Sequence, residues 1–154
     1  MRHRGYTLLE LIVVVAILAV LSGMALLTLR GASPAERLAR EADRVAELAR
    51  AACDDAILRG RSVALAVDAA GYRGETVEGG EWRPHPDRLF RPRQWPLPVT
   101  ARLEVDAAAR GEAGRIRCLP GGELVPFRLV LVTPDGARAT VTGDADGRVG
   151  RPPS

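Results

Sequence analysis

Lysine is absent from this chain of 154 residues, and cysteine, histidine and aromatic residues are scarce. All 22 basic residues are therefore arginines, and they interleave with 19 acidic residues to leave a net charge of +3. Such a mixed, solvated surface does not by itself predict binding to nucleic acid. The two cysteines, Cys53 and Cys118, cannot build a zinc site alone, and there is no CxxC pattern.

Motifs of catalysis are also missing from the sequence. It contains no GxSxG pattern, no cluster of metal-ligating residues, and only two histidines, His3 and His85. His85 has no evident base partner in the sequence. We therefore predict that the chain is not an enzyme, that it has no cofactor or metal, and that it binds no small-molecule ligand.

A long uncharged run dominates the N-terminal region. Residues 11–29 carry no charge, and as a helix they would span about 28 Å, close to the roughly 30 Å of a bilayer core. Arg2 and Arg4 precede the run, so the positive-inside rule keeps this end cytoplasmic and places the rest across the membrane. A secretory signal peptide is the alternative, but its apolar core is shorter, and neither it nor a plain anchor has a use for Glu10.

Residues 5–10, Gly-Tyr-Thr-Leu-Leu-Glu, resemble the class III signal of type IV pilins and type II secretion pseudopilins, with tyrosine in place of the usual phenylalanine. The resemblance implies that a prepilin peptidase cuts between Gly5 and Tyr6 and N-methylates Tyr6. It also implies that Glu10 pairs with the N-terminal amine of a neighbouring subunit during assembly. Both charges are costly in a low-dielectric helix bundle unless they are paired.

A second, amphipathic helix is predicted after a break near Gly31. Ser33, Pro34 and Glu36 form a capping box with proline at the first helical position, and Gly60 ends the helix. Apolar residues recur at spacings of three and four and predict one buried face: Leu38, Ala42, Val45, Ala49, Ala52 and Ala56. The charged residues from Arg37 to Arg50, including Glu41, are assigned to the outer face, with Arg37 and Glu41 as an i,i+4 pair.

After Gly60 the apolar pattern changes to a period of two, which predicts strands. The predicted strands are Val63–Val67, Tyr72–Val77, Val99–Val105, Arg115–Leu119, Pro126–Val132, Ala137–Thr142 and a short one near Arg148–Val149. The fourth and fifth are expected to form a hairpin around the Pro-Gly-Gly at 120–122. Residues 84–98 contain five prolines and are predicted to be a long loop, as are residues 107–114.

The order of one long helix followed by antiparallel strands is similar to the minor pilins of the general secretion pathway protein H (GspH/FimT) family. The helix end at 56–61, the strand at 63–67, Asp68 to Tyr72 and the closing segment at 146–149 carry the likeness. It implies an α+β pilin-like fold, in which a long N-terminal helix, half transmembrane and half amphipathic, packs on an antiparallel β-sheet domain. The expected segments are the leader 1–5, the transmembrane and filament-core helix 6–30, the amphipathic helix 31–60 and the periplasmic β-rich domain 61–154.

The resemblance implies a minor pseudopilin of the type II secretion system, a structural subunit of the periplasmic pseudopilus. Its expected partners are other pseudopilins, the prepilin peptidase and inner-membrane lipid, with a single membrane pass and the C-terminal domain in the periplasm. The alternative is a minor pilin of a type IV pilus or a DNA-uptake (competence) system, binding DNA through the loop 82–95. Neighbouring genes would distinguish the two systems.

Four arginines in that loop are candidate nucleic-acid contacts, because arginine and aromatic side chains together bind single strands by charge and stacking. They are Arg83, Arg88, Arg91 and Arg93, lying among Trp82, Phe90 and Trp95. The interpretation we favour is a solvated loop whose aromatic residues cover the sheet or a neighbouring pilin.

Two further groups of residues allow more than one interpretation from the sequence. Cys53 and Cys118 form either a disulfide, worth roughly 4 kcal/mol in the chain-entropy model, or two buried apolar cysteines. Asp144, Asp146 and Gly147 suggest a calcium loop, but the remaining oxygen ligands are missing, and Asp-Gly is first a turn signal. We therefore favour a turn and predict no metal there.

Overall fold

The computed structural model describes residues 8–28, 32–105 and 114–152, and these residues form two units. The first unit contains helix α1, Leu8–Thr28. The second begins at Ser33 and contains the remaining elements. The predicted cleavage site at Gly5 and Tyr6 lies outside the described residues, as do Gly31 and most of the predicted loop at 107–114.

Helix α2, Pro34–Arg59, has both ends where the sequence predicts them. The Ser33 hydroxyl accepts a hydrogen bond of 3.2 Å from the Glu36 backbone N–H, and the Glu36 carboxylate accepts one of 2.9 Å from the Ser33 N–H. These reciprocal bonds satisfy donors that a helix start otherwise leaves unpaired. At the other end Gly60 adopts the left-handed conformation, with φ of 63°, which glycine tolerates best.

The predicted apolar face of α2 is buried, and it consists largely of alanine. The buried apolar residues are Leu38, Ala42, Val45, Ala46, Leu48, Ala49, Ala52, Cys53 and Ala56. Because alanine side chains are short, the helix can lie close to the strands beneath it and contact both sheets of the unit. This shared core makes the helix and the sheets one compact unit.

Nine strands follow α2 among the described residues. They are β1 Val63–Val67, β2 Gly71–Glu78, β3 Glu81–Pro84, β4 Arg93–Gln94, β5 Thr100–Val105, β6 Arg115–Cys118, β7 Phe127–Val132, β8 Arg138–Gly143 and β9 Val149–Gly150. One antiparallel sheet has the order β3-β2-β1-β6, with β4 also paired to β2, and the other has the order β5-β7-β8-β9. Every residue of β1 is buried, which places this strand at the centre of the first sheet.

The predicted hairpin between 115–119 and 126–132 is wrong. Strand β6 pairs with β1, so that Val63 lies opposite Cys118, whereas β7 belongs to the second sheet and pairs with β5 and β8. The Pro-Gly-Gly segment does turn, since the Leu119 N–H donates to the Glu123 carbonyl, but the chain then crosses from one sheet to the other. A tight turn at residues 133–137 joins β7 to β8, and the two strands pair with each other.

The prediction of an uninterrupted loop over 84–98 is also only partly right. A strand missed by the prediction, β3, ends at Pro84, a short 3₁₀ helix covers Arg88–Phe90, and β4 pairs with the start of β2. Gly74 of β2 makes room for this segment, because a Cβ there would overlap the Phe90 ring. The buried Phe90 therefore fixes the 3₁₀ helix against the first sheet.

Candidate functional site

Helix α1 exposes apolar side chains and carries Glu10 in its first turn. Every large apolar side chain from Leu8 to Leu21 has between 46% and 77% of its surface exposed. A helix that is apolar all round requires other apolar groups to cover it. Glu10 lies where the positive end of the helix dipole favours a carboxylate. Within residues 8–28, 32–105 and 114–152, no helix combines the length and hydropathy needed to cross a membrane.

Cys53 of α2 and Cys118 of β6 form a disulfide, with 4.9 Å between their Cα atoms. Of the two alternatives left open by the sequence, the structure contains the bridge. Both residues are buried in the core between the helix and the first sheet. The bond therefore ties α2 to β6, an edge strand of the first sheet, across a sequence separation of 65 residues.

Glu41 is buried, which corrects its predicted place on the outer face of α2. Its carboxylate accepts a hydrogen bond of 2.6 Å from the Tyr72 hydroxyl and one of 3.1 Å from Arg93 Nε. Arg37, its predicted partner, instead donates to the backbone carbonyl of Pro96. Burial, followed by the Glu41 carboxylate, raises the pKa of Tyr72 far above its usual value. The three side chains join α2, β2 and β4 in one polar contact.

The four predicted nucleic-acid arginines differ in their surroundings. Arg83 pairs with Glu81 on the exposed strand β3, at 2.9 Å, and Arg93 is held by Glu41. Arg88 and Arg91 are exposed around the 3₁₀ helix, with no acidic partner in the described part of the chain. Among the described residues, two of the four therefore form an ion pair and two do not.

The aromatic side chains of the same segment contact other residues of the folded unit. Phe90 is buried edge-on against His85, with 4.4 Å between ring centroids. Trp95 lies 5.1 Å from the Tyr72 ring, and its indole N–H donates to the Asp68 carbonyl. The Arg115 guanidinium lies over Trp82 at 5.4 Å. The arrangement agrees with the favoured interpretation, in which these aromatic residues cover the sheet.

His85 has a partner that sequence reasoning missed. Its buried Nε2 lies 3.1 Å from Asp55 Oδ2, and its Nδ1 accepts a hydrogen bond of 3.2 Å from the Asp87 N–H. Arg59 bonds the other oxygen of Asp55 at 2.8 Å. Burial alone would raise the pKa of Asp55, but the hydrogen bonds from Arg59 and His85 outweigh burial and hold the pKa below its usual value. No local motif could signal this contact, because Asp55 is 30 residues away.

The segment at Asp144, Asp146 and Gly147 is a turn before β9. The Asp144 carboxylate accepts a hydrogen bond of 2.9 Å from the Arg148 N–H, and the Arg148 guanidinium pairs with Asp146 at 2.8 Å. Arginine therefore already occupies the carboxylates that a calcium ion would need. No group of three or more possible metal ligands occurs among the described residues.

Two sequence families match different parts of the chain. Residues 1–26 match the prokaryotic N-terminal methylation motif. Residues 41–147, most of the folded unit that contains α2 and the sheets, match the family described as type II transport protein GspH.

Individual relatives agree with both matches. The type II secretion system protein H of Pseudomonas aeruginosa is 32% identical over 157 aligned positions, covering 92% of this chain and 91% of that protein. The minor pseudopilin EpsH of Vibrio cholerae has the same fold, with a TM-score of 0.64 at 14% identity, over 78% of this chain and 98% of that one. The solution structure of E. coli GspH has a TM-score of 0.62 at 16% identity, over 80% and 92% of the two chains.

Three findings agree on one family. They are the N-terminal motif, the capped helix packed on two antiparallel sheets, and a relative that matches nearly the whole chain. This chain belongs to the GspH family of type II transport proteins.

Proposed function

We propose that the chain is a minor pseudopilin of the type II secretion system, a structural subunit of the periplasmic pseudopilus that helps drive protein export across the outer membrane. The observation that carries the proposal is the presence of a methylation motif at 1–26 and a GspH domain at 41–147 in a single chain. The first provides a route into a filament, and the second provides the surface that selects neighbouring subunits.

Processing at the N-terminus is the first step of the proposed mechanism. The prepilin peptidase cuts after Gly5, and the new amine of Tyr6 is methylated. In the assembled bundle the Glu10 carboxylate neutralises the amine of a neighbouring subunit. Two opposite charges in an apolar bundle stabilise each other and fix the axial register of the helices, whereas either one alone is costly.

The apolar surface of α1 supports an inner-membrane location before assembly. Lipid covers the exposed side chains of Leu8–Leu21 in the waiting subunit, and the helices of other subunits cover them in the filament. A single pass with Arg2 and Arg4 inside places the folded unit in the periplasm. The Cys53–Cys118 disulfide suits that oxidising compartment.

The role of the folded unit is structural rather than catalytic. The buried polar residues Glu41, Glu75 and His85 each contact side chains that belong to the same unit. Their contacts hold strands and helix together, which supports a unit that acts by presenting a rigid surface.

Mass spectrometry of the protein purified from membranes tests the pathway. The expected chain begins at N-methylated Tyr6, and a Gly5→Leu variant should accumulate at full length because its leader is not removed. A mature chain that begins near residue 25 or later would show an ordinary signal peptide and overturn the proposal.

Deletion of the gene tests the system to which the subunit belongs. Exported proteins should accumulate in the periplasm of the deletion strain, and the intact gene should restore their export. Normal export combined with a loss of DNA uptake would instead assign the chain to a competence filament.

A further inference from the structure

Three arginines on one side of the folded unit have no acidic partner among the residues that the structure describes: Arg44, Arg88 and Arg91. Nearby arginines differ from them, because Arg73 pairs with Asp68 and Glu75, and Arg93 pairs with Glu41. The charges of the three arginines are therefore not needed to neutralise acidic groups of the fold.

The three arginines line a single cleft of about 320 Å³, hereafter the arginine cleft. Arg44 comes from α2, whereas Arg88 and Arg91 come from the 3₁₀ helix and the residue after it. Leu48 and Leu89 line the same cleft, and Leu89 is 58% exposed. The cleft thus combines these three arginines, together with Arg93, which is paired with Glu41, and an exposed apolar side chain.

The Glu41–Tyr72–Arg93 contact forms a rigid wall of this cleft. Tyr72 and Arg93 both line it, and their bonds to Glu41 hold α2 against β2 and β4. The buried Phe90 fixes the segment that carries Arg88 and Arg91. The cleft is therefore largely formed in advance, which reduces the entropy lost when a partner binds.

We propose that the arginine cleft docks an acidic segment of a neighbouring filament subunit, with carboxylates on Arg44, Arg88 and Arg91 and an apolar side chain on Leu89. This inference rests on the proposed function, because it names one contact of the subunit within the pseudopilus. Guanidinium groups bind carboxylates in bidentate geometry, and a partner's carboxylates would relieve the mutual repulsion of the three arginines.

The surroundings of the cleft favour an acidic protein segment over single-stranded nucleic acid. Binding of single strands requires exposed aromatic faces on which bases stack. The aromatic residue that lines the cleft, Tyr72, is 3% exposed, and Phe90 beside it is 4% exposed. The exposed apolar group is instead an aliphatic one, Leu89, which suits an aliphatic side chain of a protein partner.

Photo-crosslinking in the full-length chain tests the contact. A benzophenone amino acid replaces Leu89, the other pseudopilins are co-expressed, and mass spectrometry identifies the crosslinked peptide in membranes. We expect one subunit to be captured at a peptide that contains two or more acidic residues. The triple variant Arg44→Glu, Arg88→Glu and Arg91→Glu should lower the crosslink yield at least about tenfold, because reversing the charges turns attraction into repulsion.

The second sheet provides a matched control, since it carries three exposed arginines that form no ion pair within the described ranges: Arg102, Arg128, which lies opposite Glu104 across the strands, and Arg138. Changing these three to glutamate alters the net charge equally and should leave the crosslink unchanged. A triple arginine-to-glutamine variant at the cleft removes charge without adding repulsion, and we expect a smaller but clear loss of crosslinking. Charge reversal of the captured acidic peptide should restore the yield of the glutamate variant.

Two results would overturn the inference, provided that the protein is mature and assembled. The first is that the benzophenone at position 89 crosslinks to no acidic peptide. The second is that the crosslink yield is equal in the cleft variant and the control variant. Retention of a 30-nucleotide single strand that the cleft variant loses would also overturn it and assign the cleft to nucleic acid. Failure of the proposed function gives a different result, because then no chain beginning at N-methylated Tyr6 is found.

Discussion

Helices α1 and α2 are of similar length, 21 and 26 residues, but their apolar side chains are covered in different ways. Those of α1 from Leu8 to Leu21 are exposed in the monomer. Most of those of α2 face strands of both sheets and are buried, and the exceptions are Ile57 and Leu58 in its last turn, which are exposed. The apolar surface of α1 is therefore suited to contacts with other molecules, whereas the buried face of α2 is suited to contacts within its own fold.

The acidic residues of the two helices also differ in whether their partners lie in another subunit or in the same one. Glu10 is the acidic residue of α1, and the proposed partner of its carboxylate is an amine on another subunit. On α2, Glu41 and Asp55 have their partners within the same unit, on strands and loops that are distant in sequence. Substitution of Glu10 in α1 should therefore change assembly, and substitution of Glu41 or Asp55 in α2 should change the free energy of unfolding.

The largest expected effect is the loss of filament assembly in Glu10→Ala. The leader should still be removed and the helix should still enter the membrane, since alanine is more apolar than glutamate. Incorporation into the pseudopilus should fail, because the neighbouring amine is left unpaired in an apolar bundle. Crosslinking of subunits in membranes measures assembly, and mass spectrometry measures processing.

Glu47→Ala, at an exposed position of α2, is the control and should assemble normally. The unfolding midpoint of the folded unit should be the same in Glu10→Ala and the wild type. Normal assembly of Glu10→Ala would eliminate the pairing role, and a lowered midpoint would break the distinction between the two helices.

The second largest effect is expected for the disulfide. Replacing Cys53 and Cys118 together by alanine should lower the free energy of unfolding by roughly 4 kcal/mol, because the unfolded chain regains the entropy of a long loop. Alanine is chosen because serine would place a polar hydroxyl at the fully buried position of Cys118. Chemical denaturation of both proteins measures the difference.

Reduction of the wild type with dithiothreitol should produce most of the same loss without any substitution. The double alanine variant should not respond to the reductant, which separates the effect of the bond from the lost sulfur packing. Equal stability of oxidised and reduced wild type would contradict this prediction.

The bounds of α2 were predictable from the sequence because their signals are local. Ser33, Glu36 and Gly60 act within one turn of the helix, and the spacing of its alanines shows its buried face. The motif from Gly5 to Glu10 is equally local, so the N-terminal site can be proposed from the sequence alone.

The pairing of the sheets was not predictable in this way. β6 pairs with β1, although about fifty residues separate them in the chain, and the Pro-Gly-Gly turn beside it looks like that of a hairpin. Turn residues show that the chain reverses, but not which strand it then joins. The burial of Glu41 was not predicted for a similar reason, because its partners Tyr72 and Arg93 lie on other elements. The arginine cleft likewise needs Arg44, which is far in sequence from Arg88.

A smaller effect is expected for Glu41→Gln. The amide oxygen can still accept the bond from Tyr72, but the charged contact with Arg93 is lost, and we expect a cost of about 1–3 kcal/mol. Denaturant unfolding at neutral pH measures the cost. Glu47→Gln, an exposed position on the same helix, should change stability by less than about 0.5 kcal/mol. A cost for Glu41→Gln as small as that of this control would show that the buried contact is not stabilising.

The smallest expected effect is a change in acid stability for Asp55→Asn. Hydrogen bonds from Arg59 and His85 hold the pKa of folded Asp55 below its unfolded value of about 3.8, despite the opposing effect of burial. Its contribution is therefore present above about pH 4 and is lost as the pH falls through the folded pKa. The stability difference between wild type and variant should narrow below about pH 4 when unfolding is followed from pH 7 to pH 2. Asp54→Asn, at the exposed neighbouring position, should leave the acid dependence unchanged, since its carboxylate has no comparable contacts among the described residues. If Asp54→Asn and Asp55→Asn gave the same pH profile, the intramolecular role of the α2 charges would be limited to Glu41.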